Sequence, residues 1–381
     1  MGEEIVRLQK EDYDDLIGLL DFTFGTKYKR PMSFEEELPK MCRRTDERMG
    51  RHLGLYVDGK LCSVLGIYPL PSRIAGEDIL FSTVGNVATH PDAVGHGYMT
   101  RLVRAAMEEL TRMGADGSRL GGKRTRYHRY CYDPAGTAIT YSLDLAQWQC
   151  EIPAPVTFVP LKRSDEELLT KAKELQQSGA FVVIRPDLDD FYDSLVAWKN
   201  VPYVALNEDG EMIGYVSASR DNAKIVELES YSLEGFKSIL YSWLSQRSPL
   251  VDIPMMPHLV EQNQFLADVC AKHVIAAPCQ FKIIHWEKVV NATLKLKATY
   301  APLPKMEKII EVEGYGKLLV RTGEGIAECV LLENCAKEAD LRLSWEHATI
   351  FFFGPSTMLA ERLGYGGVFP LPLSWNLQDR V

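Results

Sequence analysis

Two glycines, Gly95 and Gly97, stand between an apolar stretch at residues 84–89 and an amphipathic stretch that begins at Met99. This order predicts a strand, a tight turn and a helix in succession. Glycine lets the backbone turn with its N–H groups directed outward, and the free amides and positive dipole end of a helix N-terminus attract anions. The junction therefore predicts a binding site for the phosphates of a cofactor.

The surroundings of the glycines narrow the choice of cofactor. No Lys-Ser or Lys-Thr pair follows, as a P-loop requires, and no third glycine completes the dinucleotide-binding fingerprint. A nucleoside triphosphate and NAD are thereby disfavoured. The alternative without a ligand is that residues 84–89 form an ordinary core strand and the glycines an ordinary tight turn.

A second motif follows at residues 127–135, which read YHRYCYDPA, after a short predicted strand around Arg119. Together, the glycine turn and this run resemble the GNAT family of acyl-CoA-dependent N-acetyltransferases. The resemblance implies that acetyl-CoA is the acyl donor and that a splayed strand binds its pantetheine arm through the backbone of Val87. It also implies that the CoA pyrophosphate binds in the turn, at Val94, Gly95, His96, Gly97 and Tyr98.

The same resemblance assigns Tyr127 as the general acid that protonates the departing thiolate. A phenol of pKa ~10 can share a proton with a thiolate whose conjugate acid has a pKa near ~8.5, without itself being ionised at neutral pH. The alternative is that Tyr127 is a core aromatic, since Tyr130 and Tyr132 close by must also be packed.

The general base is less evident from the residues. In the enhanced-intracellular-survival (Eis) subgroup of GNAT enzymes the C-terminal carboxylate serves as base, which implies the carboxylate of Val381 here. A carboxylate of pKa about 3.5 is a weak base, so it needs burial, a water or charge attraction to act. An ordinary exposed terminus is the alternative. Related enzymes line the acceptor pocket near Phe24, which is otherwise a core aromatic.

Two further features bear on the phosphate site. Residues 123–126 and Arg129 form a basic run that either meets CoA phosphates or is solvated surface. Asp92 stands where related enzymes carry Arg or Gln, and an acid near a pyrophosphate is unfavourable unless it points away. Because backbone amides do most of the phosphate binding, we expect weakened affinity and not its loss.

Composition bounds the remaining possibilities. The formal charge of −9 argues against a general nucleic-acid binder and favours cationic substrates. No apolar run is long enough to span a membrane, and the acidic N-terminus does not resemble a secretory signal, so a cytoplasmic protein is expected. The eight cysteines are scattered without zinc-ligand spacing, which predicts reduced thiols and no metal.

The pattern of turns and periodic segments predicts an α+β fold. Hairpin signals at residues 58–59 and 76–77 predict a mostly antiparallel sheet, and the apolar spacing after Met99 predicts a helix that Gly114 ends. Residues 203–216 repeat the pattern of residues 55–68, which indicates an internal duplication whose second copy lacks the GxG turn.

The last region predicts strands at residues 317–321 and 349–353 and a helix at residues 355–363. Three regions in this order resemble the Eis subgroup over the whole chain. The resemblance implies tandem GNAT domains at residues 1–155 and 156–284, the second degenerate, and a sterol-carrier-protein-like α+β domain at residues 285–381. It also implies a homo-oligomer, specifically a hexamer.

These features predict an acetyl-CoA-dependent N-acetyltransferase that acts on a primary amine of a small molecule or peptide, by direct attack in a ternary complex. One alternative is a non-catalytic acyl-CoA or lipid-binding relative, in which Asp92 marks lost turnover. Another is a transferase that uses a longer acyl group. The identity of the acceptor does not follow from the sequence.

Overall fold

The computed structural model describes residues 2–379, and the first part of the chain alternates strands and helices as the turn signals predict. In chain order the elements are β1 (Glu3–Arg7), α1 (Tyr13–Tyr28), α2 (Phe34–Glu37), α3 (Asp46–Met49), β2 (His52–Val57), β3 (Lys60–Ile74), β4 (Glu77–Thr89), α4 (Tyr98–Arg112), β5 (Gly117–Leu120), α5 (Arg124–Tyr127) and β6 (Asp133–Ala135).

The middle of the chain repeats this alternation. Its elements are β7 (Ala138–Asp144), β8 (Thr157–Pro160), α6 (Glu166–Gln177), β9 (Phe181–Val183), α7 (Leu188–Val196), β10 (Val201–Leu206), β11 (Met212–Ala218), β12 (Ile225–Ser230), α8 (Leu233–Gln246), β13 (Leu250–Met255), α9 (Val260–Val269), β14 (Cys270–Ala276) and β15 (Cys279–Ile283).

The first sheet has eight strands in the order β1-β2-β3-β4-β5-β15-β6, with β9 paired to β3. All its pairs are antiparallel except β4 with β5. The apolar face of α4 packs on this sheet through Leu102, Val103, Ala106 and Leu110, which are all buried. The predicted α+β fold with mostly antiparallel sheets is confirmed.

The second unit repeats the plan of the first. The hairpin β10–β11 corresponds to β2–β3, and its four-stranded sheet has the order β12-β11-β10-β8. The isolated parallel bridge between Lys224 and Asp252 joins the start of β12 to β13, as β4 joins β5. The tandem arrangement predicted from the internal repeat is therefore present in the fold.

The two units exchange a strand. β7, which follows the first unit in sequence, lies between β13 and β14 of the second unit. In return β15, which follows the second unit, lies between β5 and β6 of the first. Each sheet thus takes an inner strand from the other part of the chain. The predicted domain boundaries stay predictions, because they separate stretches of chain that this exchange interleaves.

The last region is α10 (Trp286–Ala298), β16 (Met306–Val312), β17 (Gly316–Gly323), β18 (Ile326–Leu332), β19 (Leu341–Leu343), α11 (Trp345–Phe353) and α12 (Met358–Arg362). Its sheet has the order β18-β17-β16-β19. The strand predicted at residues 349–353 is wrong, because these residues belong to α11. A short apolar run does not distinguish a buried strand from a buried helix, and the Ser344 side chain caps the helix by accepting from the His347 N–H.

No helix within residues 2–379 is long and apolar enough to cross a membrane. The eight cysteines, all within that range, are free thiols.

Candidate active site

The glycine turn has the backbone conformation that its sequence requires. Gly95 has φ +100° and Gly97 has φ +76°, values that L side chains rarely adopt. A Cβ at either position would meet no atom within 4 Å, so the need for glycine is conformational and not steric. Gly97 is the N-cap of α4, and residues 94–97 are exposed. The first amides of α4 therefore face an open turn in which an anion can bind.

The other residues predicted in the turn have distinct surroundings. His96 is exposed and stacks on the Tyr98 ring at a centroid distance of 5.5 Å. Tyr98 is buried, and its hydroxyl donates to Glu3 at 3.1 Å. The Val94 side chain is 68% exposed. Tyr98 thus fixes the start of α4, while Val94 and His96 are accessible to a ligand.

The acid at the turn lies in solvent. The side chain of Asp92 is 88% exposed, and its carboxylate lies 3.6 Å from Nδ1 of His90, which accepts from the Asp92 backbone N–H. Water screens an exposed carboxylate, so its repulsion of a phosphate in the turn is small. This exposure makes the electrostatic penalty smaller than a buried carboxylate at the same position would impose.

The basic run divides into two parts. The guanidinium of Arg124 pairs with Asp133, whose side chain is only 1% exposed, so Arg124 holds β6 in place. Arg129 instead donates to the Thr100 hydroxyl at 3.0 Å, in the first turn of α4. Of these two arginines, Arg129 lies beside the anion-binding end of α4.

The two parallel strands separate above the turn. Pairing of β4 with β5 runs from Phe81 opposite Gly117 to Val84 opposite Leu120, where β5 ends. β4 continues to Thr89, and its Val87 side chain is half-buried against the α4 core. The edge of β4 beyond Val84 is therefore open to an extended ligand, and pairing of Val87 with the pantetheine arm stays a prediction.

A bulge in β4 lies directly before Val87. Asn86 has φ +51°, and the β3–β4 register shifts between Val64 and Gly66 opposite it. The side-chain amide of Asn86 donates to the Tyr68 hydroxyl at 2.6 Å. That hydroxyl is 2.8 Å from Nε2 of His52, which is fully buried.

The protonation of His52 follows from its contacts. Its Nδ1 lies 3.3 Å from the Met49 carbonyl, an acceptor, so Nδ1 carries the proton and Nε2 accepts from Tyr68. Burial lowers the pKa of His52 to about 4. A neutral imidazole therefore anchors the chain of hydrogen bonds that ends at the bulge. Sequence reasoning missed this network, whose only signal was a polar Asn86 inside an apolar strand.

Tyr127 is placed where the two strands separate. It ends α5, is 5% exposed and belongs to the apolar cluster that contains Val84 and Leu120, the last paired residues of β4 and β5. Its ring lies against Gly122, where a Cβ would come within 3.0 Å of it. Burial raises the pKa of Tyr127, which keeps the phenol protonated at neutral pH.

The neighbouring tyrosines have other contacts. The Tyr132 hydroxyl is fully buried and donates to Ser118 at 2.7 Å, which gives it a structural partner on β5. The Tyr130 ring is half-buried under the Arg129 guanidinium at 5.0 Å.

The end of the described chain is buried between the two units. Trp375 stacks on Phe281 of β15 at 5.3 Å, and the side chains of Gln378 and Asp379 are 1% and 4% exposed. Arg119 of β5 donates to the Asp379 carbonyl and also to the Thr83 hydroxyl of β4, the latter at 3.0 Å. The tail thus reaches the strands that separate at the site. Val381, the predicted base, lies outside the described residues.

Sequence reasoning missed the charged cluster around this tail. Arg185 donates to Asp379 at 3.1 Å and holds Glu227 through two hydrogen bonds of 2.9 and 2.6 Å. The Lys40 ammonium donates to the Gln378 carbonyl. The participants are far apart in sequence and belong to different elements, so no spacing pattern connects them.

Phe24 lies on α1, half-buried against Phe34 at a centroid distance of 5.0 Å. The Lys27 ammonium is 5.3 Å from its ring. Its role in binding an acceptor stays a prediction. Within residues 2–379, no cluster of three or more His, Cys, Asp or Glu side chains is placed to hold a metal ion.

Comparison with known proteins agrees with this geometry. Residues 4–135 match the family model described as an acetyltransferase (GNAT) domain. The match spans the glycine turn, both separating strands and Tyr127. A search of curated proteins found no match.

Solved structures share the fold along the whole chain. A probable N-acyltransferase of unknown function from Enterococcus faecalis V583 is 16% identical, with a TM-score of 0.70 and 100% of each chain covered. A GCN5-related N-acetyltransferase from Anabaena variabilis is 15% identical, with a TM-score of 0.67 and 98% of each chain covered. Eis1 from Mycobacterium abscessus is 14% identical, with a TM-score of 0.65 and 100% of each chain covered.

At these identities the solved structures establish the fold alone. The type of reaction is indicated by the match of residues 4–135 to an acetyltransferase domain. The GNAT fold binds acyl-CoA. The predicted enzyme class, an N-acetyltransferase, is confirmed by the domain match.

Proposed function

We propose that the protein transfers the acetyl group of acetyl-CoA to a primary amine by direct attack in a ternary complex. The observation that carries this proposal is the opening between β4 and β5 above a positive-φ glycine turn at the N-terminus of α4. Acetyl-CoA supplies the thioester. The amine nitrogen bonds to the thioester carbonyl carbon, the carbon–sulfur bond breaks, the amine loses one proton and the sulfur gains one.

The donor is held mainly by backbone groups in this proposal. Amides of residues 94–98 bind the pyrophosphate, with Arg129 beside them at Thr100. The backbone at Val87 pairs with the pantetheine arm and directs an amide at the thioester carbonyl, where it stabilises developing negative charge.

Tyr127 delivers the proton to sulfur. Its burial and its contact with the cluster at Val84 and Leu120 support this role, because the thioester must lie where the strands separate. The raised pKa of Tyr127 keeps its proton available across the neutral range.

The carboxylate of Val381 accepts the amine proton. The burial of Gln378 and Asp379, and the hold of Arg119 on the Asp379 carbonyl, support a tail that reaches the reacting groups. Phe24 contributes to the acceptor pocket. These roles rest on the resemblance to the Eis subgroup and on the placement of the tail.

The same resemblance extends to the organisation of the protein. We propose two GNAT domains at residues 1–155 and 156–284, a sterol-carrier-protein-like domain at residues 285–381, and a cytoplasmic homo-oligomer that is a hexamer. The edge strand β14 exposes Val274 and Ile275 by 53% and 51%, which suits a subunit contact. Light scattering of the purified protein measures the assembly.

The test is release of free CoA thiol from acetyl-CoA with a panel of primary amines, beside a thermal-shift titration with acetyl-CoA. Amine-dependent release with an acetylated product in the mass spectrum supports the proposal. Stabilisation by acetyl-CoA without release from any amine would indicate a binding protein instead. Faster thiol release from an acyl-CoA with a longer acyl chain would show that acetyl-CoA is not the preferred donor.

A further inference from the structure

A cavity of about 170 Å³ lies between the two units and the tail. The first unit contributes Lys40 and the α3–β2 and β3 segments to its wall, and the second contributes the segment after β9 and the start of α7. Its wall includes Lys40, Arg48, Arg51, Tyr68, Arg185 and Asp379.

The wall of this cavity carries an excess of positive charge. Lys40, Arg48, Arg51 and Arg185 line it, against two carboxylates, Asp190 and Asp379. Both carboxylates are already engaged, since Arg48 pairs with Asp190 and Arg185 donates to Asp379. Arg185 is further neutralised by Glu227.

Arg51 is the cation that a ligand can recruit. Within residues 2–379 it forms an ion pair with Glu47, four residues earlier in the chain, and the Glu47 side chain is 73% exposed. An exposed pair at this spacing is weak, so exchanging Glu47 for a ligand carboxylate in the cavity costs little. The Arg51 side chain itself is 23% exposed, so water screens it less than it screens Glu47.

Lys40 adds to the positive potential. The pKa of Lys40 is lowered to about 7, mainly by burial; Asp379 and Glu227 oppose this shift, and Arg185 and Arg119 add to it. Near neutral pH the amine is thus part protonated. An anion bound in the cavity would stabilise the charged form of Lys40.

Two residues that line the cavity, Tyr68 and Asp379, are connected by hydrogen bonds to β4, the strand that is expected to bind the donor. Tyr68 lines the cavity and holds the Asn86 side chain, directly before Val87. Asp379 also lines it, and its carbonyl is bonded to Arg119, which donates to Thr83 of β4. A ligand in the cavity therefore lies along the β3–β4 side of the site.

We propose that this cavity binds the carboxylate end of the acceptor, and that the acceptor is a small amine that also carries a carboxylate, as an amino acid or short peptide does. The inference rests on the proposed function and narrows its acceptor. A guanidinium binds a carboxylate through two parallel hydrogen bonds, which suits Arg51. This acceptor differs from the cationic substrate that the net charge of −9 favours. The reason is that the local charge at the cavity is positive.

The positive surroundings also assist the reaction. Neighbouring cations lower the pKa of an ammonium group, so a larger fraction of the bound acceptor is the neutral amine that attacks. This effect reduces the demand on the general base, for which a carboxylate is weak.

The experiment compares matched acceptors that differ only in the carboxylate. Thiol release from acetyl-CoA is measured with L-lysine against L-lysinamide, with glycylglycine against glycylglycinamide, and with spermidine as a purely cationic amine. The variant is Arg51→Gln, and the matched control is Arg112→Gln, an exposed arginine on α4 that pairs with Glu109 three residues away. Calorimetry of each acceptor in the presence of CoA gives affinity without turnover.

We expect kcat/KM for each carboxylate to exceed that of its amide at least about tenfold, as the loss of a charge-assisted hydrogen bond predicts. Arg51→Gln should remove most of this preference and Arg112→Gln none of it. Transfer to amides or spermidine that equals or exceeds transfer to the carboxylates would overturn the inference and leave the proposed function standing. If no amine is acetylated, the proposed function fails, and calorimetry still decides whether the cavity prefers the carboxylate.

Discussion

The side-chain amide of Asn86 donates a 2.6 Å hydrogen bond to the Tyr68 hydroxyl, which ties the bulge of β4 to the buried His52. Through Tyr68, Asn86, which has a left-handed backbone conformation, is connected to the neutral imidazole of His52. Bulges next to binding sites re-aim the strand, and this one sets the direction of the backbone at Val87.

Replacing Tyr68 with Phe should therefore affect donor binding as well as stability. The change leaves the Asn86 amide and His52 Nε2 without their partner, which costs about 1–3 kcal/mol in the free energy of unfolding. We also expect a severalfold rise in KM for acetyl-CoA, because the bulge is no longer fixed. Tyr141→Phe is the control, since it removes a buried hydroxyl that bonds to Asn263 in the second unit. If the two variants had the same KM for acetyl-CoA, the hydrogen-bond network would have no role in donor binding.

Tyr127→Phe should lower kcat at least tenfold, and about 100-fold if the phenol supplies the full contribution of a general acid. The affinity for acetyl-CoA, measured by calorimetry, should stay nearly unchanged because the ring and its packing are retained. Tyr130→Phe provides a neighbouring control with a half-buried ring. Full activity of the Tyr127 variant would remove this residue from the mechanism.

Gly97→Ala should weaken donor binding through the backbone. A left-handed alanine costs about 1–2 kcal/mol, and relief of that strain turns the first amides of α4 away from the pyrophosphate. Gly210→Ala is a close match, since Gly210 has φ +78° against +76° for Gly97 and also has open space at the Cβ position. Both variants should lose similar stability in urea, but only Gly97→Ala should raise the KM for acetyl-CoA.

Acid should destabilise the protein through its buried histidine. The pKa of His52 falls from its ordinary 6.5 to about 4 on folding. Between those two pH values the unfolded chain binds a proton that the folded chain does not, so the free energy of unfolding decreases as the pH falls from 6.5 to 4. The loss from His52 is at most about 3 kcal/mol.

His52→Gln tests this assignment, because glutamine can accept from Tyr68 and donate to the Met49 carbonyl without titrating. Urea unfolding between pH 4 and 6.5 should show a shallower pH dependence in this variant. Part of the slope should remain, since burial also lowers the pKa of His258 to about 4. Gln in place of the exposed His347 should leave the slope as in the wild type. An unchanged slope in His52→Gln would show that the folded imidazole is already protonated.

Four residues appended after Val381 should abolish acetyl transfer while the melting temperature stays within a few degrees of the wild type. The extension moves the proposed carboxylate base away from the amine, although the buried contacts of Gln378 and Asp379 can persist. The same four residues placed before Met1 are the control, because Gly2 is exposed. An extended enzyme with wild-type kcat would contradict a role for the terminal carboxylate.

Local features of the fold followed well from the sequence. The β2–β3 hairpin, α4 and the glycine turn were predicted because each depends on neighbours in sequence: a turn dipeptide, a helical apolar spacing and two glycines. The prediction of a strand at residues 349–353 was wrong because the apolar run there has no periodicity. The signal for a helix was a single capping residue, Ser344.

Features that depend on contacts between distant parts of the chain could not be predicted from the sequence. The Arg185 cluster joins Glu227 and Asp379 across three elements, and the cation-lined cavity needs the tail in place before it exists. Composition misleads here, since a chain with a net negative charge places Lys40, Arg48, Arg51 and Arg185 around one cavity. The roles of Arg124 and Arg129, five residues apart in sequence, are also distinguished only by their partners, Asp133 and Thr100.

The reciprocal insertion of β7 and β15 means that neither repeat can complete its sheets without the other. During synthesis, the sheet that carries the glycine turn lacks the strand between β5 and β6 until residue 283 has left the ribosome, well after the second repeat has emerged. A gene fragment that ends before β15 would expose the backbone edges of β5 and β6, which invites aggregation. The two repeats therefore have to be expressed and engineered as one unit, even though only the first has the glycine turn.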